Sequence, residues 1–227
     1  MRTIVLSVAA LLFHQFAQFA SAQAGEKLPP PGEWRMLFDG KTLANWKSTA
    51  FGGEGEVLVE DGALVIDMGN PLTGVTWTGQ PLPKVNYEVE LEARRMAGSD
   101  FFCALTFPVA ESHASLVLGG WGGTVIGISS INGYDASENE TSDYYKFEKN
   151  QWYKIRLQVT QTHLRAWIND KQIADVEHPR REMSVRIEVE PSKPFGISTY
   201  QTQGAIRNLR LRTLPPVGDG KPAPESE

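Results

Sequence analysis

Side chains alternate between apolar and charged along two runs of this chain, and that period of two narrows what it can fold into. YEVELEA sets Tyr87, Val89 and Leu91 against Glu88, Glu90 and Glu92, and YKIRLQV sets Tyr153, Ile155, Leu157 and Val159 against Lys154, Arg156 and Gln158. A strand sends successive side chains to opposite faces, so each run predicts a half-buried β-strand rather than a helix. Turn signals punctuate the chain at Asp39-Gly40, Asp61-Gly62, Asn132-Gly133, Asn169-Asp170 and the glycines of GGWGG, Gly119 to Gly123. The run QWYKIRLQVTQTHLRAWINDKQIADV predicts a three-stranded meander that reverses near Gln161 and Thr162 and again at Asn169-Asp170. Short strands, frequent turns and the lack of a sustained helical period predict an all-β, antiparallel sandwich.

The ends of the chain read differently from this body. Arg2 precedes an apolar run from Ile4 to Phe13, and Ala20-Ser21-Ala22 supplies small residues for cleavage, so residues 1–22 are expected to be a signal peptide. His14, Gln15 and Gln18 interrupt the run before it reaches the roughly 18 apolar residues of a membrane span, so no stable membrane insertion is expected after cleavage. The mature chain is expected to begin near Gln23 and to be secreted or periplasmic. A Pro-rich linker follows over residues 23–32, a single folded domain over 33–214, and a polar Pro- and Gly-rich tail over 215–227. The formal net charge of −5, one unit more negative without Arg2, disfavours nucleic acid as a partner. The single cysteine, Cys103 in the apolar FFCALTF, can form no intramolecular disulfide and reads as a buried, inert thiol.

Three stretches carry a resemblance: MLFDGKTLANWK, VEDGALVI from Val59 to Ile66, and the closing FGISTYQTQGAIRNLRLRTL. Together they resemble the 3-keto-disaccharide hydrolase domain family, from about Trp34 to Leu214. The meander, with its opening Trp-Tyr and its Trp-x-Asn turn, is similar to that of concanavalin A-like jelly rolls, the lectin and glucanase sandwich. The resemblance implies a concanavalin A-like jelly-roll fold, a carbohydrate substrate, and hydrolysis or elimination of glycosides oxidised at sugar carbon 3. Where the family has an Asn-Ser-Gly turn and then a strand ending in Arg, this chain has Ser99, Asp100 and Phe101 and then ALTFPV. The family's Glu-x-Gln strand is SLVLGGW here, and its Leu-Gln-x-His pattern falls on Ile197, Ser198, Thr199 and Tyr200. Asp100 is accordingly a candidate catalytic residue, and Tyr200 a candidate substrate-binding one.

The implied chemistry needs a base for the proton beside a ketone, a donor for the enolate, and an acid for the departing sugar oxygen. SVRIEVEP, Ser184 to Pro191, offers these types. Read as a strand, it buries Val185, Ile187 and Val189 and puts Arg186, Glu188 and Glu190 on the other face. Carboxylates at i and i+2 lie roughly 6.6 to 6.8 Å apart along a strand, near the roughly 5 to 5.5 Å of a retaining glycosidase pair. Glu188 is preferred as base over Glu190, because Pro191 should end the strand. The plainer reading is the solvent face of an ordinary strand.

A second candidate is the loop INGYDASENETSDYYKFE, where Tyr134, Asp135, Asn139 and Glu140 offer aromatic and oxygen-rich contacts for a sugar. The same oxygens suit a divalent cation such as calcium, and an ordinary polar surface loop is the alternative. Trp121 in GGWGG reads either as the floor of a sugar subsite or as a core plug between sheets. Arg94 and Arg95, ending a strand of three glutamates, read as solvated charge balance. A non-catalytic lectin-like module and a structural or partner-binding sandwich remain alternatives to the enzyme.

Overall fold

The two alternating runs pair with each other. In the computed structural model, which describes residues 30–216, Tyr153 to Val159 lies antiparallel to Tyr87 to Ala93, with Leu157 opposite Val89. The signal peptide expected over residues 1–22 lies outside the described residues. The strands in chain order are β1 (Arg35–Met36), β2 (Trp46–Ser48), β3 (Val57–Glu60), β4 (Ala63–Ile66), β5 (Leu72–Trp77), β6 (Tyr87–Gly98), β7 (Cys103–Val109) and β8 (Ser112–Gly120). They continue as β9 (Val125–Ser129), β10 (Asp143–Tyr144), β11 (Tyr153–Val159), β12 (His163–Ile168), β13 (Lys171–Glu177), β14 (Gly196–Tyr200) and β15 (Thr202–Thr213). One sheet runs β13-β12-β11-β6-β15-β4-β3, with β1 added along β15, and the other runs β10-β9-β8-β7-β14-β5-β2. The meander is β11, β12 and β13, as its pattern predicts. The two antiparallel sheets form a jelly-roll sandwich.

The core lies between the sheets. Tyr87, Val89 and Leu91 of β6 and Ile155, Leu157 and Val159 of β11 belong to one buried cluster with Leu105 and Phe107 of β7, Leu116 and Leu118 of β8, and Ile126 and Ile128 of β9. Cys103 is fully buried there, and burial pushes its thiol up to about 12.

The outer face of the first sheet is drier than its charges suggest. Glu88 is only 1% exposed and accepts hydrogen bonds from Arg212 Nη2 at 2.9 Å and Gln158 Nε2 at 3.2 Å. Glu90 meets Lys154 Nζ at 2.8 Å and also Arg210, while Glu92 accepts from Arg207 Nε at 2.6 Å. Partial burial raises the Glu90 pKa, but the bonds from Lys154 and Arg210 outweigh it and hold the carboxyl below its ordinary range. Arg210 and Arg212 cover Trp34, and Arg94 and Arg207 cover Trp152. Long cationic stems lying over aromatic rings remove water that the alternation alone would admit.

The second sheet presents small side chains outward: Gly74 and Thr76, Gly196 and Ser198, Ala104 and Thr106, Ser115, Ser129. Each lies next to a neighbour that faces the core, such as Val75, Ile197, Leu105, Leu116 or Ile128. Residues 181–194 cross this face as a strap. Ser130 N–H donates to Ser184 O at 2.6 Å and Ser184 N–H returns to Ser130 O at 3.1 Å, which ties the strap to the end of β9. At the other side Thr76 Oγ1 donates to Pro191 O at 3.0 Å, on β5.

SVRIEVEP is therefore not a strand. Ile187–Ser192 forms a 3₁₀ turn, with Val189 N–H donating to Arg186 O at 3.0 Å and Lys193 N–H to Glu190 O at 3.1 Å. Val185 and Val189 do bury, against Leu72, but Ile187 is 84% exposed. Spacing of about three residues brings Val189 back to the side of Arg186, so the strand's two faces do not exist.

Candidate functional site

Between the strap and the loops at the opposite end of β7 and β8 lies a hollow of about 260 Å³. Ala104, Ser115, Val117 and Ser129 form its floor, all on the outer face of the second sheet. Small floor residues follow from sequence: a bulkier side chain there would fill the space that the strap leaves. Arg186, Glu188 and Val189 wall it from the strap, Leu72 and Tyr200 from β5 and β14, Asp100 and Phe101 from the turn after β6, and Trp121 from GGWGG.

The charged wall is an ion-paired triad. Arg186 Nη2 donates to Glu188 Oε1 at 2.7 Å, and Arg186 Nη1 donates to Asp135 Oδ2. The hydrogen bond from Arg186 holds the Glu188 carboxyl below its ordinary range, and the same bond raises the guanidinium pKa. Glu188 is thus ionised and Arg186 cationic at neutral pH.

The opposite wall is built by hydrogen bonds to glycine-rich backbone. Asp100 N–H donates to Thr202 Oγ1 at 2.9 Å, Asp100 Oδ1 accepts from Phe101 N–H at 2.7 Å, and Asp100 Oδ2 accepts from Gly122 N–H at 3.1 Å. Asp100 thereby ties the β6–β7 turn to the loop that carries Trp121. That loop turns through left-handed backbone at Gly119, Trp121, Gly122 and Gly123. Trp121 is 43% exposed, so it is a loop residue at the hollow and not a core plug. Phe101 and Tyr200 stack with centroids 5.7 Å apart. An ionised carboxylate, a cation, an indole and a phenol around a floor bearing hydroxyls can hold a ring with one apolar face and several hydroxyl groups.

Residues 33–212 match the 3-keto-alpha-glucoside-1,2-lyase-like domain. The chain belongs to that family. No curated protein matches the sequence. The sandwich is similar to solved structures at low identity: the Crh5 transglycosylase in complex with NAG (TM-score 0.56, 10% identity, 84% of this chain and 90% of that one) and a putative glycosyl hydrolase from Parabacteroides distasonis ATCC 8503 (TM-score 0.51, 10% identity, 80% and 94%). The Emp46p carbohydrate recognition domain is a third (TM-score 0.53, 14% identity, 75% and 88%). Family and fold make this a carbohydrate-active domain, glycosyl hydrolase-like or carbohydrate-binding.

In this member of the lyase-like family the hollow brings together Asp100, Trp121, Arg186, Glu188 and Tyr200, five residues singled out from the sequence. Others fall elsewhere. Glu190 faces away and pairs with Lys193 Nζ at 2.7 Å, because the 3₁₀ turn rotates it off the side that Glu188 occupies. Asn139 is a turn residue: its Nδ2 donates to Ile128 O at 2.8 Å and its Oδ1 accepts from Thr141 Oγ1 at 2.6 Å, leaving little for a sugar. Glu140 pairs with Arg181 and lines a separate, open depression with Gln172 and Asp175. Tyr134 is 59% exposed outside the hollow, and Asp135 reaches it only through Arg186. Among the described residues no three His, Cys, Asp or Glu side chains are placed together to hold a metal ion.

Arg95 is the residue that sequence reasoning misplaced. It points inward, donates from Nη2 to Gly123 O at 2.7 Å and to Gly119 O at 3.4 Å, and lies 5.2 Å from the Phe102 ring centroid. Burial lowers its pKa, and Asp100 partly offsets this. Its place two residues from Ala93, which faces the core, was the available signal, since the alternation of β6 carries as far as Arg95 before the pairing with β15 shifts register at Met96.

Proposed function

We propose that this chain is an exported enzyme that cleaves 3-keto-glycosides, and that the hollow is its active site. The observation that carries the reading is the convergence of Glu188, Arg186, Asp100, Tyr200 and Trp121 on one ring-sized space in a domain of the lyase-like family. A ketone at carbon 3 acidifies the C–H at carbon 2, so an ordinary ionised carboxylate suffices as base; Glu188 is kept in that state by Arg186. Glu188 takes the carbon 2 proton, and Arg186 donates to the enolate oxygen as its charge develops. The enolate then expels the oxygen at carbon 1, forming a carbon 1–carbon 2 double bond, and the Tyr200 hydroxyl delivers the proton to the departing oxygen. Addition of water to the double bond would convert elimination into net hydrolysis.

The test is incubation of purified protein with a 3-keto-disaccharide and its unoxidised parent in deuterated water. Cleavage of the keto sugar alone, with deuterium at carbon 2 of the hydrated product, is expected. Equal rates for both sugars, with no deuterium, overturn the elimination. One observation favours a second reading, a non-catalytic carbohydrate-binding module: the positions that align with the family's Arg, Glu, Gln and His carry apolar or hydroxyl side chains and a tyrosine. Tight binding without turnover would select it. For export, the expected result is a mature N-terminus near Gln23, read by N-terminal sequencing.

A further inference from the structure

Five of the second sheet's strands, β9 to β5, lie side by side under the strap, a width of about 19 Å at the ordinary interstrand spacing. An open face of that width is a groove able to pass a glycan chain from one side to the other. Here it is interrupted. The strap covers the ends of the strands near Ser130, Ser112, Gly196 and Thr76. Ser112 Oγ donates to Met183 O, and a side chain at Gly196 would lie 2.6 Å from Ser192 O, so the strap sits directly on the sheet. The loops bearing Asp100 and Trp121 close the opposite strand ends.

Contacts also narrow the two sideways exits. Toward β5, Val189 packs with Leu72 and Val185 in a cluster of their own, with Phe51, Phe101 and Tyr200 against it. Toward β9, Arg186 bridges the strap to Asp135, which begins the acidic part of the loop after β9. Asp135 is held in turn by Ser137, whose Oγ donates to Asp135 Oδ1 at 2.7 Å. What remains is a hollow of about 260 Å³, just below the roughly 300 Å³ at which pockets for drug-sized ligands begin. Trp121, 43% exposed, stands at its rim.

We infer that the strap, through Val189 and the Arg186–Asp135 pair, makes this a site for one terminal sugar ring, so that the oxidised ring must be the end unit of the glycoside and the rest of the molecule leaves past Trp121. The inference rests on the reading of the hollow as a carbohydrate site and adds which glycosides it accepts. Val189 and Asp135 are then specificity-determining residues: neither is needed for the proton transfers, and both block chain continuation.

The experiment is calorimetric binding of a length series, di-, tri- and tetrasaccharides with the 3-keto ring at the non-reducing end, together with a trisaccharide whose keto ring is internal. The wild-type protein is expected to bind the terminal series with affinities within about threefold of one another, and the internal-keto trisaccharide at least about 100-fold more weakly, a difference of about 2.7 kcal/mol. Asp135→Ser and Val189→Ala, each checked for native melting, should narrow that gap by at least about tenfold, while the affinity for the terminal-keto disaccharide changes less. Affinity that climbs with each added unit, or equal binding of the internal-keto sugar, overturns the one-ring site and leaves the carbohydrate reading standing. A gap unchanged in both variants overturns the role given to the two residues. Binding of none of these sugars overturns the carbohydrate reading, and the one-ring site falls with it.

Discussion

Replacing Arg95 by methionine should loosen the wall that carries Trp121 without touching the hollow. The stem of Arg95 is as long as methionine, so packing on Phe102 is largely kept and the lost interactions are polar. One hydrogen bond to Gly123 O at 2.7 Å is well formed; the second, to Gly119 O at 3.4 Å, is at the limit of useful geometry. A hydrogen bond from a charged donor contributes about 1.5 to 3 kcal/mol, and the weaker contact adds little. Burial of the guanidinium, visible in its lowered pKa, offsets part of this. The expected loss is about 1 to 2 kcal/mol, read as a lower urea midpoint at unchanged m-value. Because the bonds go to the GGWGG backbone, hydrogen exchange at Gly122 and Gly123 should accelerate more than in β11, and ligand affinity should fall with it. Arg95→Lys should not fully rescue, since lysine Nζ falls one bond short of the Nη2 position that reaches both carbonyls. A midpoint within about 0.5 kcal/mol of wild type, with unchanged protection of the loop, would refute the role assigned to Arg95.

Glu188→Gln should lower turnover of a 3-keto-disaccharide by roughly 10² to 10⁴ with folding little changed, whereas Glu190→Gln, outside the hollow, should leave steady-state rates at wild-type level. Since Arg186 depresses the Glu188 pKa, the ionised form persists as pH falls below the ordinary Glu value. The acid limb of kcat/KM should therefore lie below that value and move up in Arg186→Ala; a limb that does not move removes Glu188 from the titration. Gly196→Ala places a methyl group 2.6 Å from Ser192 O and 2.7 Å from Val75 O, so it should cost about 1 to 3 kcal/mol and expose the strap to limited proteolysis between 181 and 194. Cys103, buried and with its thiol pushed up to about 12, should resist thiol reagents at pH 8 in the native protein and react at full rate in urea; fast native labelling would contradict its place in the core.

Much of the sandwich was legible because its strands obey local rules. Tyr87 to Glu92 and Tyr153 to Val159 alternate strictly, and a strand with one buried face admits no other register. Asn169-Asp170 turned where the pattern required it. The site was legible only by residue type. Asp100 and Trp121 stood beside glycines that the turns need, and Arg186 and Glu188 stood out by charge, but nothing local said that these two pairs would meet across a hollow.

By itself the sequence determined the sandwich and its core-facing residues, because period-two alternation and short turns are properties of neighbouring residues, and it carried the family in its motifs at both ends of the body. Only the tertiary structure decided which charges are functional candidates. The comb of SVRIEVEP looks like a strand, yet no strand edge receives it. The outer face of the second sheet does, and its small residues accept a crossing 3₁₀ turn bonded to Ser130 and Thr76. That turn keeps Glu188 at the hollow, rotates Glu190 away and leaves Ile187 in water. The deciding contacts join Ser130 to Ser184 and Thr76 to Pro191, long-range pairings that no local period encodes.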